Sequence, residues 1–412
     1  MQQRSWMALG ATALAASLAL SACGSRGESG SSGGSGGSGG SGSGSTKTVK
    51  IGVIAPVSGD LSALGLGIQH SVELAAKKAN DSGAVSGWKF EVVTKDDEAK
   101  PDVAKNAATS IAADKDVIGV VGTLNSSTSQ SVQPVLSTAK IVQVSPANTN
   151  PSLTRGAKFK DAPQRMYPTY FRTCTTDSVQ GPFAAKYLLE QGIKEVATIH
   201  DKKTYGQGLA EAFSEEFTKG GGKVVAAETI NPDDSNYGPV ISKIKPSGPK
   251  AIYYGGEYPQ AGPLSKQAKA AGLNVPIMGG DGIFAADFIK LAGTTATGDL
   301  ATSVGAPTDS LEKGKTFLAD YKAAGYAEPS EAYGAYSYDA ANAIIEAAKT
   351  ALKDAKTVED ARAKMSEALG KVSIDGVTGK VEFDEYGDTK TRILTAYKVE
   401  GGKWVPAKTG SA

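Results

Sequence analysis

Short β-type segments alternate with helix-like segments over most of this chain, and this alternation restricts the possible folds more than any other feature. The predicted strands include residues 49–54, 90–93, 117–121, 196–199 and 251–254. The segments between them carry apolar residues at helical spacing. Because parallel strands need long crossover connections, repeated units of this length indicate βαβ units and parallel sheets. The predicted fold class is therefore α/β.

The last part of the chain departs from this alternation. Helix-like sequence dominates residues 311–369, and residues 379–384 are predicted to form a closing β-hairpin with residues 393–397. The body that starts near residue 48 has about 365 residues. Because this is more than one ordinary hydrophobic core accommodates, two lobes are expected.

Two hydroxyl-rich loops follow neighbouring predicted strands. The first is residues 122–128 and the second is residues 144–151, with a helix predicted between them over residues 128–139. Loops at the carboxyl ends of parallel strands line a ligand crevice, and a helix that begins there offers unpaired N–H groups to an anion. The alternative is that these Ser and Thr residues are ordinary helix N-caps. Two such loops in adjacent units favour a site for a small carboxylate.

The first 46 residues are predicted to be an export signal and a tether. Residues 1–22 join a short basic start to an apolar run that is too short for a membrane span, which is typical of a signal peptide. The small residues before Cys23 resemble the lipobox of bacterial lipoproteins, in which the cysteine carries the lipid. The alternative is a soluble exported protein with a chance cysteine. Residues 23–46 are almost wholly Gly and Ser after that cysteine, so a flexible tether is expected.

Composition argues against several classes of protein. The net charge is +1 with acids and bases interspersed, which indicates no nucleic-acid partner. The two cysteines are Cys23 and Cys174, so no internal disulfide is expected in the exported domain.

His70 and His200 accompany no metal or nucleophile motif, so no metal, cofactor or catalytic residue is predicted. Residues 65–70 lack the third glycine of a dinucleotide-binding loop.

Several short segments, in order along the chain, resemble the periplasmic leucine/isoleucine/valine-binding proteins. They are residues 51–59, 145–151, 171–173, 200–208 and 254–256. These proteins are type I extracellular solute receptors that supply ABC importers, and the similarity runs from residue 49 to about residue 397. The resemblance implies two doubly wound parallel-sheet lobes, joined by a three-crossover hinge, that close on an amino acid.

The resemblance also implies where the lobes begin and end. The N-terminal lobe is expected to comprise residues 47–173 and 303–377, and the C-terminal lobe residues 174–302 and 378–412. The three crossings are expected near residues 172–174, 301–303 and 376–379. An aromatic cluster of Tyr333, Tyr336 and Tyr338 is expected to pack between the lobes.

Ligand contacts follow from the same resemblance, position by position. It implies that Ser126 holds the ligand carboxylate through its hydroxyl and amide. The Ala147 carbonyl and Thr149 are expected to contact the ammonium, Tyr205 to close on the ligand from the second lobe, and Asp281 to pair with the ammonium. This agrees with the requirement that a zwitterion leaving water finds partners for both charges. The full expected set is Leu64, Ser126, Ala147, Asn148, Thr149, Tyr205, Glu257 and Asp281.

The chain departs from its relatives at the side-chain pocket. Leu64 stands where they often have an aromatic residue at the pocket floor, and Glu257 stands where the branched-chain binders have tyrosine. The disulfide of the enteric relatives is absent, since its positions fall near Ala99 and at Asn125. Residues 158–168 are an insertion before the first crossing.

Glu257 leaves two side-chain preferences open. A buried carboxylate is unfavourable unless it is paired, so Glu257 is expected to turn to the cleft rim and meet Lys202, Lys203 or water. The alternative places it in the pocket, where it recognises a polar or cationic group of the ligand. The prediction is an aliphatic or otherwise neutral amino acid, with polar and basic amino acids as the alternative.

The predicted function is that of a substrate-binding lipoprotein of an ABC importer, which delivers a branched-chain or other neutral aliphatic amino acid to the permease. It is expected to be a monomer, anchored by its lipid to the outer face of the cell membrane. The alternative is a sensor or regulatory receptor on the same scaffold, which binds amides, aromatic acids or polar and basic amino acids. No nucleophile–base pair supports an enzyme.

Overall fold

The computed structural model describes residues 46–411, and strands and helices alternate through most of them. The strands are β1 (Lys47–Ala55), β2 (Trp88–Asp96), β3 (Val117–Gly122), β4 (Val142–Ser145), β5 (Tyr170–Arg172), β6 (Glu195–His200), β7 (Lys223–Thr229), β8 (Ala251–Gly255), β9 (Ile277–Gly279), β10 (Leu300–Val304), β11 (Ser373–Asp375), β12 (Lys380–Glu382), β13 (Ile393–Glu400) and β14 (Lys403–Ser411). The helices are α1 (Ser62–Asp81), α2 (Pro101–Ala113), α3 (Ser126–Thr138), α4 (Ser152–Arg155), α5 (Asp177–Glu190), α6 (Thr204–Lys219), α7 (Gly238–Ile244), α8 (Tyr258–Ala270), α9 (Ala286–Ala292), α10 (Glu312–Ala323), α11 (Gly334–Ala351) and α12 (Val358–Gly370).

The sheet of the first lobe has five parallel strands in the order β2-β1-β3-β4-β5. Its strand β3 is buried at every residue, because helices cover both faces of the sheet. Val120 packs in the cluster formed with α2 and α3, whereas the next residue, Val121, packs in the cluster that includes α1 and α11. Successive strand residues point to opposite faces, so these clusters are the two sides of one layered lobe.

The sheet of the second lobe has the order β14-β13-β10-β9-β8-β6-β7. The strands β6 to β10 are parallel, and β13 and β14 add an antiparallel hairpin at one edge. On one face, Phe213 of α6 stacks on Tyr253 of β8 with ring centroids 3.6 Å apart. The two parallel-sheet lobes confirm the predicted α/β fold class.

The closing hairpin predicted for residues 379–384 and 393–397 is wrong. The strand β12 pairs instead with β11, and β13 pairs with β14. The turn between β13 and β14 contains Gly401 and Gly402, which have φ values of 55° and 74°. Two central residues with positive φ match the twist of a tight hairpin, which explains why the chain reverses there.

Three crossings join the lobes, and the third lies further along the chain than residues 376–379. Phe383 packs edge-on against Phe171 of β5, and Asp388 accepts a hydrogen bond from Arg172 Nε at 2.7 Å. The chain therefore stays against the first lobe through Asp388 and enters the second sheet at Ile393. The lobe limit expected at residue 377 therefore moves towards Ile393, and those at residues 173 and 303 stay predictions.

Two sequence-based expectations concern membranes. The predicted signal peptide and the lipid-bearing Cys23 lie outside the described residues. None of the helices between residues 46 and 411 is long and apolar enough to cross a membrane.

Candidate functional site

The loops that follow β3 and β4 meet the second lobe at one small cavity. Its lining residues are Leu64, Leu124, Asn125, Ala147, Tyr205, Glu257, Asp281, Gly282 and Tyr333. The cavity thus brings together most of the predicted ligand contacts, from both lobes. It has a volume of about 20 Å³, which is room for about one water molecule. The lobes lie close together around the site.

Unpartnered hydroxyl groups mark the first-lobe end of the site. Among the described residues, Ser126 Oγ and Thr149 Oγ1 are buried and have no hydrogen-bond partner. Ser126 is the first residue of α3, and the side chain of the residue before it does not cap the helix. Buried polar atoms are normally satisfied, and the N-terminus of a helix attracts anions. Ser126 is therefore suited to a carboxylate, whereas Thr149 lies against Asp177 and its contact with the ammonium stays a prediction.

A buried carboxylate marks the second-lobe end. Asp281 Oδ1 accepts hydrogen bonds from Gln180 Nε2 and Tyr205 Oη, both at 2.8 Å. Its Oδ2 accepts one from Tyr333 Oη at 2.8 Å. A carboxylate offers about four acceptor positions, so Asp281 retains capacity for one more donor. Burial raises the pKa of Asp281, although these hydrogen bonds oppose that effect.

A second buried carboxyl group, Asp177, lies beside this end. Its backbone N–H donates to the Thr149 carbonyl at 2.8 Å, and its Oδ1 accepts from Gln180 Nε2 at 3.4 Å. Burial, followed by the charge of Asp281, raises the pKa of Asp177 to about 8. Asp177 is therefore largely protonated at neutral pH.

The structure corrects the expectation that Glu257 turns to the cleft rim. Glu257 is only 4% exposed and lines the cavity. Its Oε1 accepts from Asn125 Nδ2 at 2.7 Å, and its Oε2 accepts from Lys203 Nζ at 2.8 Å. Lys203 is one of the expected partners, and with Asn125 it compensates the desolvation of the carboxylate. This pairing explains why Glu257 can remain inside.

Two further predicted contact residues, Leu64 and Asn148, differ in what they can offer a ligand. Leu64 of α1 is buried and lines the cavity with an apolar surface. The Asn148 side chain is occupied within the first lobe, because its Nδ2 donates to the Leu124 carbonyl and its Oδ1 accepts from Tyr170 Oη. Asn148 can therefore offer a ligand little through its side chain in this arrangement.

Several residues of the site were not predicted individually as ligand contacts. Gln180 holds Asp281 from the first turn of α5, and Leu124 and Gly282 line the cavity. Tyr333 was expected only to pack between the lobes, but its hydroxyl bonds Asp281. Asn125 lies in the first predicted loop, but it was singled out only as the position of a missing disulfide cysteine.

The chain is similar in sequence to a known protein family and to several of its members. The sequence model of the family described as "Periplasmic binding protein" matches residues 48–403. The chain is 32% identical over 355 residues to the Leu/Ile/Val-binding protein homolog 1 of Brucella suis, which covers 86% of this chain and 91% of the relative. It is 31% identical over 352 residues to the leucine-, isoleucine-, valine-, threonine-, and alanine-binding protein of Pseudomonas aeruginosa, with 85% and 90% covered.

Solved structures show the same architecture. The branched-chain amino acid transporter substrate binding protein LivJ of Streptococcus pneumoniae, in complex with isoleucine, matches with a TM-score of 0.78 and 29% identity, over 89% of this chain and 100% of that one. A solute binding protein of an ABC transporter from R. palustris, in complex with benzoate, matches with a TM-score of 0.77 over 89% and 97% of the two chains. The sequences of the two chains are 21% identical, so this second match shows only that they share a fold.

Proposed function

The chain belongs to the periplasmic binding protein family, and from this membership we propose that it captures a neutral amino acid in the cavity between its lobes. The relatives named for leucine, isoleucine and valine confirm the resemblance predicted from the sequence. We propose a branched-chain or other small aliphatic amino acid as the ligand, and no catalytic activity.

One observation carries this proposal. Ser126 Oγ is buried and unpartnered among the described residues at the first-lobe end of the site, and the buried carboxylate of Asp281 lies at the second-lobe end. An α-amino acid supplies a carboxylate for the first end and an ammonium for the second. An aromatic acid has no ammonium and leaves Asp281 without a cationic partner, which disfavours the sensor alternative for such acids.

A thermal-shift screen tests the proposal. A ligand at 100 times its dissociation constant stabilises the folded state by about 2.7 kcal/mol, which raises the melting temperature measurably. Neutral amino acids are expected to give such shifts, and benzoate is the matched anion without an ammonium. If benzoate shifts the melting temperature and no amino acid does, the proposal is wrong.

We further propose that the protein is a monomer anchored to the outer face of the cell membrane through Cys23, and that it delivers its ligand to an ABC permease. The apolar segment and the small residues before Cys23 support the anchor. Cys23→Ser is expected to move the protein from the membrane to the soluble fraction. Full membrane retention of that variant would contradict the lipid anchor.

Transport and sensing differ in their effect on uptake. If the protein feeds a permease, cells that lack it lose high-affinity uptake of the ligand found in the thermal-shift screen. A regulatory receptor instead leaves the uptake rate intact and changes a downstream response. Uptake of the labelled ligand, measured in cells with and without the gene, separates the two.

A further inference from the structure

Asn125 has one amide atom without a partner in the cavity that it lines. Its Nδ2 donates to Glu257, whereas its Oδ1 is buried and unpartnered among the described residues. The opposite orientation of the amide would place Oδ1 against a carboxylate, which also only accepts hydrogen bonds. The amide also does not cap α3. Neither the contact with Glu257 nor a helix cap therefore explains why Asn125 Oδ1 is buried without a partner.

The hydroxyl donors on the cavity-lining side chains, and one N–H of the Asn125 amide, are already engaged. The hydroxyls of Tyr205 and Tyr333 donate to Asp281, and the amide of Asn125 donates to Glu257. Apart from the second N–H of Asn125 Nδ2, what remains free on these side chains is acceptor capacity. The carboxylate oxygens of Asp281 suit the ligand ammonium. The acceptor of Asn125, beside Glu257, requires a second hydrogen-bond donor on the ligand.

The charge around Asn125 and Glu257 is balanced. Lys203 Nζ lies 2.8 Å from Glu257 Oε2 and 3.9 Å from Asp201 Oδ2. Burial, followed by the charge of Glu257, raises the pKa of Asp201 to about 8, so Asp201 is mostly neutral at pH 7. A cationic ligand side chain would therefore find no uncompensated negative charge here, and a neutral donor suits this end better.

We propose that Asn125, Glu257 and Lys203 form a specificity-determining group that selects amino acids with a short, neutral side chain bearing a hydrogen-bond donor, such as a hydroxyl or carboxamide. The apolar walls formed by Leu64, Leu124 and Ala147 contact the carbon atoms of that side chain. An isosteric aliphatic side chain leaves the Asn125 acceptor buried and unsatisfied, and binding weakens accordingly. This inference rests on the proposed capture of a neutral amino acid, and within that class it replaces the aliphatic side chain by one with a hydrogen-bond donor.

Threonine and valine provide the test, because they have nearly the same shape and differ by one hydroxyl. Calorimetric titration of the wild-type protein is expected to show threonine bound at least about tenfold more tightly than valine. Asn125→Leu, which keeps the size of the side chain and removes its acceptor, is expected to bring that ratio close to one. Glu257→Gln is a second variant that retains the cavity shape and is expected to reduce the ratio.

A matched control separates specificity from lobe closure. Thr204 Oγ1 donates across the lobes to Gln130 Oε1 at 3.0 Å and does not line the cavity. Thr204→Val is therefore expected to weaken both ligands by the same factor and leave their ratio unchanged. Valine bound as tightly as threonine by the wild type, or a ratio unchanged in Asn125→Leu and Glu257→Gln, overturns the inference while leaving the proposed function intact. Absence of binding by every amino acid overturns the proposed function itself.

Discussion

Two buried carboxylates, Asp281 and Glu257, line the same cavity, and their partners give them different roles. Asp281 is held by three neutral donors, so its negative charge is available to a ligand. Glu257 is paired with Lys203, so its charge is already compensated. Both residues are carboxylates, but their neighbouring groups make Asp281 a position that binds charge and Glu257 a position that binds through hydrogen bonds.

The Asp281 carboxylate is expected to dominate recognition of the ammonium. Asp281→Asn keeps the size of the side chain but removes its charge, and the loss of a charge-assisted hydrogen bond is expected to weaken binding by about 1.5–3 kcal/mol. Calorimetry measures the effect. Asp309→Asn, at an exposed surface position, is the matched control and is expected to bind like the wild type. An Asp281→Asn variant within about a factor of two of the wild type would exclude Asp281 as the ammonium partner.

Asp97 is expected to make stability depend on pH. Burial raises its pKa to about 7, and its Oδ2 is unpartnered among the described residues. The folded state therefore holds a proton that the unfolded state releases near pH 4, so stability falls as pH rises from about 4 to about 7. Asp97→Asn removes this titration and keeps the Oδ1 acceptor for Ala99 N–H.

The melting temperatures of the Asp97→Asn variant and the wild type, compared at pH 5 and pH 8, test this linkage. The variant is expected to be more stable relative to the wild type at pH 8 than at pH 5. The effect is at most about 1.4 kcal/mol per pH unit between the two pKa values. A difference that stays constant with pH contradicts a raised pKa at Asp97.

At the scale of elements, the contact between α6 and β8 positions much of the second-lobe side of the site. A Cβ atom on Gly206 would lie 2.4 Å from the Gly255 carbonyl oxygen, so only glycine allows the first turn of α6 to lie this close. Tyr205 belongs to that turn, and Glu257 follows β8 by two residues. The close backbone contact between Gly206 and Gly255 therefore determines the distance between the cavity-lining side chains of Tyr205 and Glu257.

Gly206→Ala is expected to push α6 away from β8. Overpacking of this kind lowers the free energy of unfolding by about 1–3 kcal/mol, and displacement of Tyr205 weakens ligand binding at the same time. Gly370→Ala is the control, because a Cβ atom there has no heavy atom within 4 Å. Urea denaturation measures both variants, and equal midpoints for them would contradict a tight α6–β8 contact.

At the scale of the whole molecule, direct hydrogen bonds join the lobes around the site. Tyr333 Oη donates to Asp281, Asn125 Nδ2 donates to Glu257, and Asn150 Nδ2 donates to the Thr204 carbonyl at 2.9 Å. The cavity between the lobes has a volume of only about 20 Å³. An amino acid can enter only when the lobes separate, so ligand exchange requires a hinge motion.

Ligand binding is expected to shift the lobes towards the closed arrangement. A ligand that contacts both lobes stabilises only the state in which they lie together. Small-angle scattering of the wild type is therefore expected to show a smaller radius of gyration with saturating ligand than without it. Asp281→Asn at the same ligand concentration is expected to show a smaller change. Identical curves for free and liganded wild type would contradict the hinge.

Local features of the chain were sufficient to predict the layered architecture and the position of the crevice. Strand and helix periodicity depends on neighbouring residues, and the hydroxyl-rich loops after β3 and β4 follow directly from strand order, so both can be read without tertiary contacts. The family resemblance added specific residues such as Ser126 and Asp281, whose ligand contacts stay predictions.

The partners of individual side chains depended on contacts between residues far apart in the chain. Glu257 lies inside the cavity because Asn125 and Lys203 approach it from separate segments, and no local pattern encodes that approach. Tyr333 likewise reaches Asp281 only after both lobes have folded. Periodicity predicts which face of an element is buried, but the energy of a buried charge depends on the exact groups around it, and only the tertiary structure brings those groups together.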